Sequence, residues 1–176
     1  LPLSYHRRAE GNGADQRLEA EFQLSFKFLL SRPLFEGRLM PFFSYTGRAW
    51  WQVYDGDRSR PFREYNHEPE LFFALPLPPI ELAGWTPRAA AFGFNHQSNG
   101  RSVPDSRSWN RLTGELLLDR GSSHWASLRL WVRLREQAKA SPTDSAGDDN
   151  PDITRYLGHA ELKLVHVTTS GHKLTL

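Results

Sequence analysis

The chain has no cysteine and only one methionine among its 176 residues. Without cysteine there can be no disulfide framework, no thiol nucleophile and no cysteine-ligated zinc site. No window reaches the roughly 18 consecutive apolar residues that a transmembrane helix requires. Charge of one sign is not concentrated either, because the formal net charge is +2 and the arginines are spread along the chain. This distribution argues against a nucleic-acid partner.

Mean hydropathy is low, at -0.58, a value typical of soluble proteins. A transmembrane β-barrel can give the same average, because the side chains that face its lumen are polar. Aromatic residues make up 12% of the chain and include six tryptophans. The length corresponds to about one domain. Composition therefore leaves both a tryptophan-rich soluble β-domain and a membrane barrel open.

Alternation of apolar and polar residues is the recurring pattern, and it predicts β-strands. In Ala20–Leu30 every even position is apolar and four of the five odd positions are polar. The clearest alternation runs from Trp125 to Arg135, and others cover residues 43–52, 70–77 and 155–164. Turn-rich stretches separate these segments, at residues 54–60, 77–81, 99–108 and 138–152. No helical period is convincing, so we predict an all-β antiparallel meander.

The predicted strands are about nine to eleven residues long, the length that a tilted strand needs to cross a bilayer. An apolar face recurs on every one of them. Tryptophan and tyrosine also cluster near the strand ends, as in an interfacial aromatic girdle. The members of this predicted girdle are Tyr45, Trp50, Trp51, Tyr54, Trp85, Trp109, Trp125 and Tyr156. Alternation alone is equally typical of a half-buried soluble sheet, but the two details together favour a transmembrane barrel.

His96, Ser98 and Asn110 form the candidate catalytic set. Side chains on a β-strand alternate between faces, so His96 and Ser98 project from the same side. If the Gly- and Ser-rich stretch that follows is a loop, the next strand brings Asn110 back beside them. A nucleophile, a base and an orienting residue would then lie within hydrogen-bond reach, which is the arrangement of a serine-hydrolase triad.

All three candidates fall on the apolar faces of their strands. His96 and Ser98 share a face with Phe92 and Phe94, and Asn110 shares one with several leucines. A soluble hydrolase would normally open its site to water. The placement therefore predicts an enzyme whose substrate lies in lipid.

The segment His96–Ser102, followed by Ser106–Arg111, resembles the signature of the outer membrane phospholipase A family. Three further segments match in order: Ser44–Thr46 with Trp50–Gln52, then Pro61–Glu64 with Asn66 and Glu68–Pro69, then Asp148–Thr154. The resemblance covers the chain from about Glu19 to Lys163. Its central motif is long and chemically unusual, which makes the match specific.

The resemblance implies a twelve-stranded barrel in the Gram-negative outer membrane that hydrolyses phospholipid acyl esters. By position, Ser98 would be the nucleophile, His96 the general base and Asn110 the residue that orients the imidazole. The backbone N–H of Gly100 would face the oxyanion of the tetrahedral intermediate. A neutral amide suits the third role beside lipid, because it fixes the histidine tautomer without exposing a carboxylate to hydrocarbon.

The resemblance also implies that calcium and homodimerisation activate the enzyme. The carbonyl of Arg101, the hydroxyl of Ser106 and the hydroxyl of the partner subunit's Ser59 would hold the calcium ion. Hard oxygen ligands of this kind suit calcium. A site divided between two chains would keep the enzyme silent in an intact membrane.

The sequence departs from the family pattern at three points. Gly47 stands where the family tends to carry a polar side chain in the dimer interface. Val103 replaces an acidic residue linked to a second calcium site, so that Asp149 would lose its partner there. We also count seven or eight strands instead of twelve, and we expect residues 1–176 to form a single β-barrel domain that lacks its C-terminal strands.

Two other functions remain open from the sequence. A β-barrel that binds lipid without hydrolysing it would not need Ser98, whereas a phospholipase would lose turnover in Ser98→Ala. A diffusion pore would conduct ions and would not need Ser98 either. The charged residues predicted for the lumen argue against a wide channel; they are Arg129, Arg133, Glu161 and Lys163.

Overall fold

The computed structural model describes residues 3–5 and 17–176. In it, every strand pairs antiparallel with the next strand along the chain. The strands are β1 (Leu3–Tyr5), β2 (Leu18–Leu29), β3 (Met40–Trp51), β4 (Phe62–Pro76), β5 (Thr86–Ser98), β6 (Ser108–Arg120), β7 (His124–Leu134), β8 (Ala160–Val167) and β9 (Lys173–Thr175). The predicted domain also includes residues 1–2 and 6–16, which lie outside the described residues.

The predicted antiparallel meander is confirmed. Seven strands have eight or more residues, and a three-residue strand flanks them at each end, which agrees with the seven or eight strands expected. Within the described residues, no pairing joins β1 to β9, so the sheet is open.

The sheet has an exposed apolar face and a buried polar face. On the outer face, Leu24, Leu112 and Val132 are 60%, 52% and 67% exposed. On the concave face, Asn95 is fully buried and Arg111 is only 7% exposed. A soluble sheet would bury its apolar side, whereas hydrocarbon outside and polar groups inside is the arrangement of a membrane barrel.

Ion pairs fill the concave face. Arg111 lies 2.6 Å from a carboxylate oxygen of Glu68, and Arg129 lies 2.7 Å from one of Glu70. Asn95 joins the first pair, because it donates to Glu68 at 3.0 Å and accepts from Nε of Arg111 at 3.0 Å. These buried charges are therefore both paired and hydrogen-bonded, as a low-dielectric interior requires.

The predicted aromatic girdle is wrong at Trp109. This side chain is buried, and its Nε1 donates to Oε1 of Gln97 at 2.9 Å. The guanidinium of Arg111 lies 4.2 Å from its ring centroid. Because Trp109 precedes Asn110 on β6, strand alternation turns it toward the concave face and away from a membrane interface.

The strand predicted over residues 155–164 begins later than expected. Ile153–Leu157 forms a five-residue helix, α1, which ends at Gly158 with a φ of +68°. The prediction is therefore wrong for residues 155–159 and holds from Ala160 onward. One turn of helix is too short to show a 3.6-residue period in the sequence. Among the residues that the structure describes, no helix has the length and apolarity to cross a membrane.

Candidate active site

Strands β5 and β6 bring His96 and Asn110 together. The two residues are directly opposite in the strand register, and Nδ1 of His96 lies 2.8 Å from Oδ1 of Asn110. Because an amide oxygen can only accept, His96 donates from Nδ1, which in the neutral ring leaves Nε2 as the acceptor. With the oxygen of its amide turned toward the ring, Asn110 matches the tautomer in which Nε2 can accept a proton.

Ser98 lies two residues beyond His96 on the same face of β5. In the register it is opposite His67 on β4 and Ser108 on β6. In the part of the chain that the structure describes, no hydrogen bond joins the Ser98 hydroxyl to His96. Such contacts are often long before substrate binds. Of the two predicted triad contacts, the structure therefore contains the one between His96 and Asn110 but not the one between Ser98 and His96.

A carboxylate stands behind Asn110. Nδ2 of Asn110 donates to Oε1 of Glu136 at 2.8 Å, and Glu136 lies two residues beyond the end of β7. Glu136 could not be predicted from the sequence, because it lies 26 positions from Asn110 in a polar stretch without a recognisable motif. The asparagine is therefore not the last member of the hydrogen-bonded set.

Gly100, two residues beyond the end of β5, adopts a left-handed backbone conformation with a φ of +65°. Glycine adopts this region without the steric cost that a side chain brings. A Cβ placed on Gly100 would lie 3.4 Å from Nε2 of His67, whose Nδ1 is 2.6 Å from the hydroxyl of Tyr45. A second histidine thus lines the candidate site beside Ser98, and only the strand register reveals it.

Asn99 shapes the loop that carries the predicted calcium ligands. Its side-chain oxygen accepts the backbone N–H of Arg101 at 3.3 Å and that of Arg107 at 2.9 Å. Its Nδ2 donates to the carbonyl of Asp105 at 2.9 Å. One buried amide therefore ties both ends of the loop together, which fixes the backbone on either side of Ser106.

Asp149 binds the hydroxyl of Ser106. Ser106 Oγ donates to Oδ2 of Asp149 at 2.5 Å, Ser108 Oγ donates to the same oxygen at 3.0 Å, and Lys139 pairs with Oδ1. Burial raises the pKa of Asp149, but the hydrogen bonds from Lys139, Ser106 and Ser108 outweigh it and hold the pKa below its ordinary value. Although Val103 offers no carboxylate, Asp149 is not left without partners.

The oxygen-rich surroundings of Ser106 fit a calcium ion. A serine hydroxyl, a neighbouring carboxylate and the backbone carbonyls of an ordered loop are ligands of the type that calcium prefers. The third predicted ligand, Ser59, is exposed in the loop between β3 and β4. Among the described residues, no contact joins Ser59 to Arg101 or Ser106. The structure therefore places two of the three predicted ligands in one loop and the third elsewhere.

Gly47, the predicted departure in the dimer interface, is covered by a tyrosine of the next strand. A Cβ on Gly47 would lie 2.6 Å from the hydroxyl oxygen of Tyr65. The absence of a side chain at Gly47 makes room for that hydroxyl on the outer face.

These features define the class of protein: part of a membrane β-barrel, with His96, Ser98 and Asn110 on its apolar outer face. The family model for Phospholipase A1 matches residues 2–176. The chain belongs to the phospholipase A1 family.

Relatives of known structure share the fold. Phospholipase A1 of Escherichia coli (strain K12) is 41% identical over 147 residues, which is 83% of this chain and 46% of that protein. The chain therefore spans about half the length of the curated relatives it matches. Outer membrane phospholipase A from Escherichia coli matches with a TM-score of 0.79 and 38% identity, over 91% of this chain and 61% of that one.

Two further structures are informative. The Salmonella typhi outer membrane phospholipase, a dimer with bound calcium, has a TM-score of 0.78 at 38% identity, over 91% of this chain and 57% of that one. An active-site mutant of the Escherichia coli protein, in which alanine replaces an asparagine, has a TM-score of 0.78 at 37% identity, over the same 91% and 57%. The β-barrel fold and these relatives place the chain in the Gram-negative outer membrane.

Proposed function

We propose that this chain carries the active site of a calcium-dependent outer-membrane phospholipase, with Ser98 as nucleophile, His96 as general base and Asn110 as the orienting residue. The observation that carries the proposal is the 2.8 Å contact between His96 Nδ1 and Asn110 Oδ1 on the face that bears Ser98. The name of the relatives, Phospholipase A1, supports the reaction class. The asparagine replaced in the Escherichia coli active-site mutant supports the third role.

The reaction divides into acylation and deacylation. The Ser98 hydroxyl attacks the acyl carbonyl while Nε2 of His96 takes its proton, and Asn110 holds the resulting imidazolium. The tetrahedral intermediate then expels the lysophospholipid, whose leaving oxygen receives that proton from His96. Water, deprotonated by His96, releases the fatty acid from Ser98 and restores the starting state.

Charge on the tetrahedral oxyanion needs stabilisation. The backbone N–H of Gly100 supplies one donor on this reading. The Arg101 carbonyl, the Ser106 hydroxyl and the partner subunit's Ser59 would hold calcium, which adds positive charge beside the oxyanion when it is bound. The calcium-bound Salmonella typhi dimer supports both the ion and the homodimer.

The outer face provides the route for the substrate. Phe92, Phe94 and Leu112 are exposed on the side of the sheet that carries His96 and Ser98. The acyl chains of a phospholipid can therefore stay in hydrocarbon while its ester reaches Ser98 at the end of β5. A protein that only binds lipid would not need a histidine whose imidazole is oriented by an asparagine, as His96 is by Asn110.

Calcium removal tests the proposal. Fatty-acid release from phospholipid–detergent micelles is expected to fall by about 100-fold to 1000-fold when EDTA is added, the range for loss of an oxyanion-stabilising group. Added calcium should restore it, and Ser98→Ala should release nothing in either condition. Fatty-acid release that is unchanged by EDTA would contradict the calcium dependence. Fatty-acid release by Ser98→Ala would contradict the proposed serine-hydrolase function.

Ser106→Ala provides the matched variant for the calcium site. It should need a higher calcium concentration for half-maximal release, because one hard oxygen ligand is gone. Ser102→Ala is the control, since Ser102 is an exposed serine of the same loop. Equal calcium titrations for the two variants would remove Ser106 from the ligand set.

Asn110→Ala should lower kcat by about tenfold to 100-fold with little change in KM. The substitution removes a hydrogen bond to an imidazole that becomes charged, which is worth about 1.5–3 kcal/mol, and each 1.4 kcal/mol is a factor of ten. Steady-state hydrolysis of a micellar ester would measure it. Asn66→Ala is the control, because Asn66 alternates with His67 and lies on the opposite face of β4. A wild-type kcat in Asn110→Ala would exclude the orienting role.

A further inference from the structure

We infer that Glu136 is a fourth member of the hydrogen-bonded set, a positioning residue that acts on His96 through Asn110. The inference rests on the proposed roles of Ser98, His96 and Asn110. Two contacts of equal length carry it: His96 Nδ1 to Asn110 Oδ1 at 2.8 Å, and Asn110 Nδ2 to Glu136 Oε1 at 2.8 Å. Imidazole, amide and carboxylate thus form one continuous chain.

Glu136 determines which end of the Asn110 amide faces His96. An asparagine amide has one accepting end and one donating end, whereas a carboxylate only accepts. A half-turn of the amide would set its oxygen against the carboxylate of Glu136 and its NH₂ group against Nδ1–H of His96, so that both hydrogen bonds would be lost. Asn110 alone could hold either tautomer of His96; with Glu136 it holds only the Nδ1–H form.

Glu136 also supplies the charge that a neutral asparagine lacks. When His96 takes the proton of Ser98, its ring becomes positive, and a carboxylate one amide away favours that state. Hydrogen bonds in such a chain polarise one another, which strengthens the contact to the ring. The carboxylate lies two residues beyond the end of β7 and is only partly buried.

The loop that follows Glu136 folds back and holds it in place. The backbone N–H of Asp148 donates to the carbonyl of Gln137 at 2.8 Å. Asp149 accepts a hydrogen bond at 3.0 Å from Ser108, at the start of the strand that carries Asn110. The loop is therefore anchored both beside Glu136 and beside Asn110, which fixes the distance between them.

The basic side chains close to Glu136 in the chain are engaged elsewhere or exposed. They are Arg133, paired with Asp148; Lys139, paired with Asp149; and Arg135, which is exposed. Within the described residues, the Glu136 carboxylate accepts its hydrogen bond from Asn110. This leaves the carboxylate to orient the asparagine.

Two substitutions separate orientation from charge. Glu136→Gln keeps an oxygen that can accept from Asn110 but removes the charge, whereas Glu136→Ala removes both. We expect kcat for micellar ester hydrolysis to fall about threefold to tenfold in Glu136→Gln and about tenfold to 100-fold in Glu136→Ala, with KM unchanged. Glu81→Ala is the control, because Glu81 is exposed in the loop at the other end of the barrel wall.

A double-mutant cycle tests the route of the effect. If Glu136 acts through Asn110, then Glu136→Ala added to Asn110→Ala should cost almost nothing further, because the bond it supports is already gone. Equal and additive losses would show that Glu136 acts by another route and would overturn the inference. A wild-type kcat in Glu136→Ala would do the same.

A spectroscopic measurement keeps the inference testable even without turnover. Ring ¹⁵N NMR of labelled histidine reports which nitrogen carries the proton. The His96 signal should show the Nδ1–H tautomer in the wild type and a mixture of tautomers in Glu136→Ala. An unchanged tautomer in Glu136→Ala would overturn the inference. If the wild type shows the tautomer but releases no fatty acid, the proposed function fails while the role of Glu136 stands.

Discussion

Replacing Ser98 with alanine is expected to lower kcat for phospholipid hydrolysis by on the order of a million-fold, the scale found when a serine hydrolase loses its nucleophile. Ser98 stands on the face that carries His96, opposite His67 and Ser108 in the register. In the proposed mechanism, removing its oxygen leaves the site without the atom that would form the acyl intermediate. His96 and Gly100 could then assist only direct attack by water.

The measurement is fatty-acid release at saturating calcium, with substrate binding followed separately. Ser98→Ala should still bind micellar phospholipid, because the apolar outer face is unchanged. Ser122→Ala is the matched control, since Ser122 is an exposed serine in the turn between β6 and β7. Turnover in Ser98→Ala comparable to that of the control would identify the protein as something other than a Ser98-dependent hydrolase.

Replacing Arg111 with methionine is expected to lower the free energy of unfolding by about 1–3 kcal/mol, the range for leaving a largely buried polar group without its partner. Arg111 is 2.6 Å from Glu68, donates to Asn95 at 3.0 Å and covers the ring of Trp109. Methionine fills much of the volume but leaves the carboxylate of Glu68, whose side chain is 26% exposed, with a reduced set of partners. The loss comes mainly from that uncompensated charge.

Unfolding in urea from detergent micelles, followed by tryptophan fluorescence, measures this loss. Arg48→Met is the control, because the Arg48 side chain is 49% exposed and its nearest carboxylate is 3.9 Å away. An exposed pair of this kind contributes about 0–1 kcal/mol. If both substitutions shifted the unfolding midpoint equally, the interior network would not be a source of stability.

Most of the strands could be predicted from the sequence, because a membrane barrel alternates between hydrocarbon outside and polar groups inside at every step. That signal located β2 and β7 to within two residues. It failed over residues 155–159, where one turn of helix precedes β8 and is too short to have a period. The alternation also could not show whether Trp109 lies at the membrane interface or inside the barrel. A tryptophan is equally compatible with an interfacial position and with stacking on Arg111.

The candidate site likewise contains residues that could be predicted from the sequence and residues that could not. His96 and Ser98 are two apart on one strand, so their shared face follows from the period of a strand alone. Asn110 required only that the intervening segment be a loop. Glu136 and His67 could not be found in this manner, because each reaches the site from another strand or from its end, at a position that depends on the register.

The sequence by itself determined the antiparallel wall, its apolar outer face and the placement of a serine, a histidine and an asparagine on that face. These are properties of short-range periodicity, which a chain expresses wherever its strands pair. Only the tertiary structure decided which groups meet across the strands. It brings Glu136 to Asn110, Asp149 to Ser106 and His67 beside Ser98, because strand register and loop folding set these contacts over long separations in the chain.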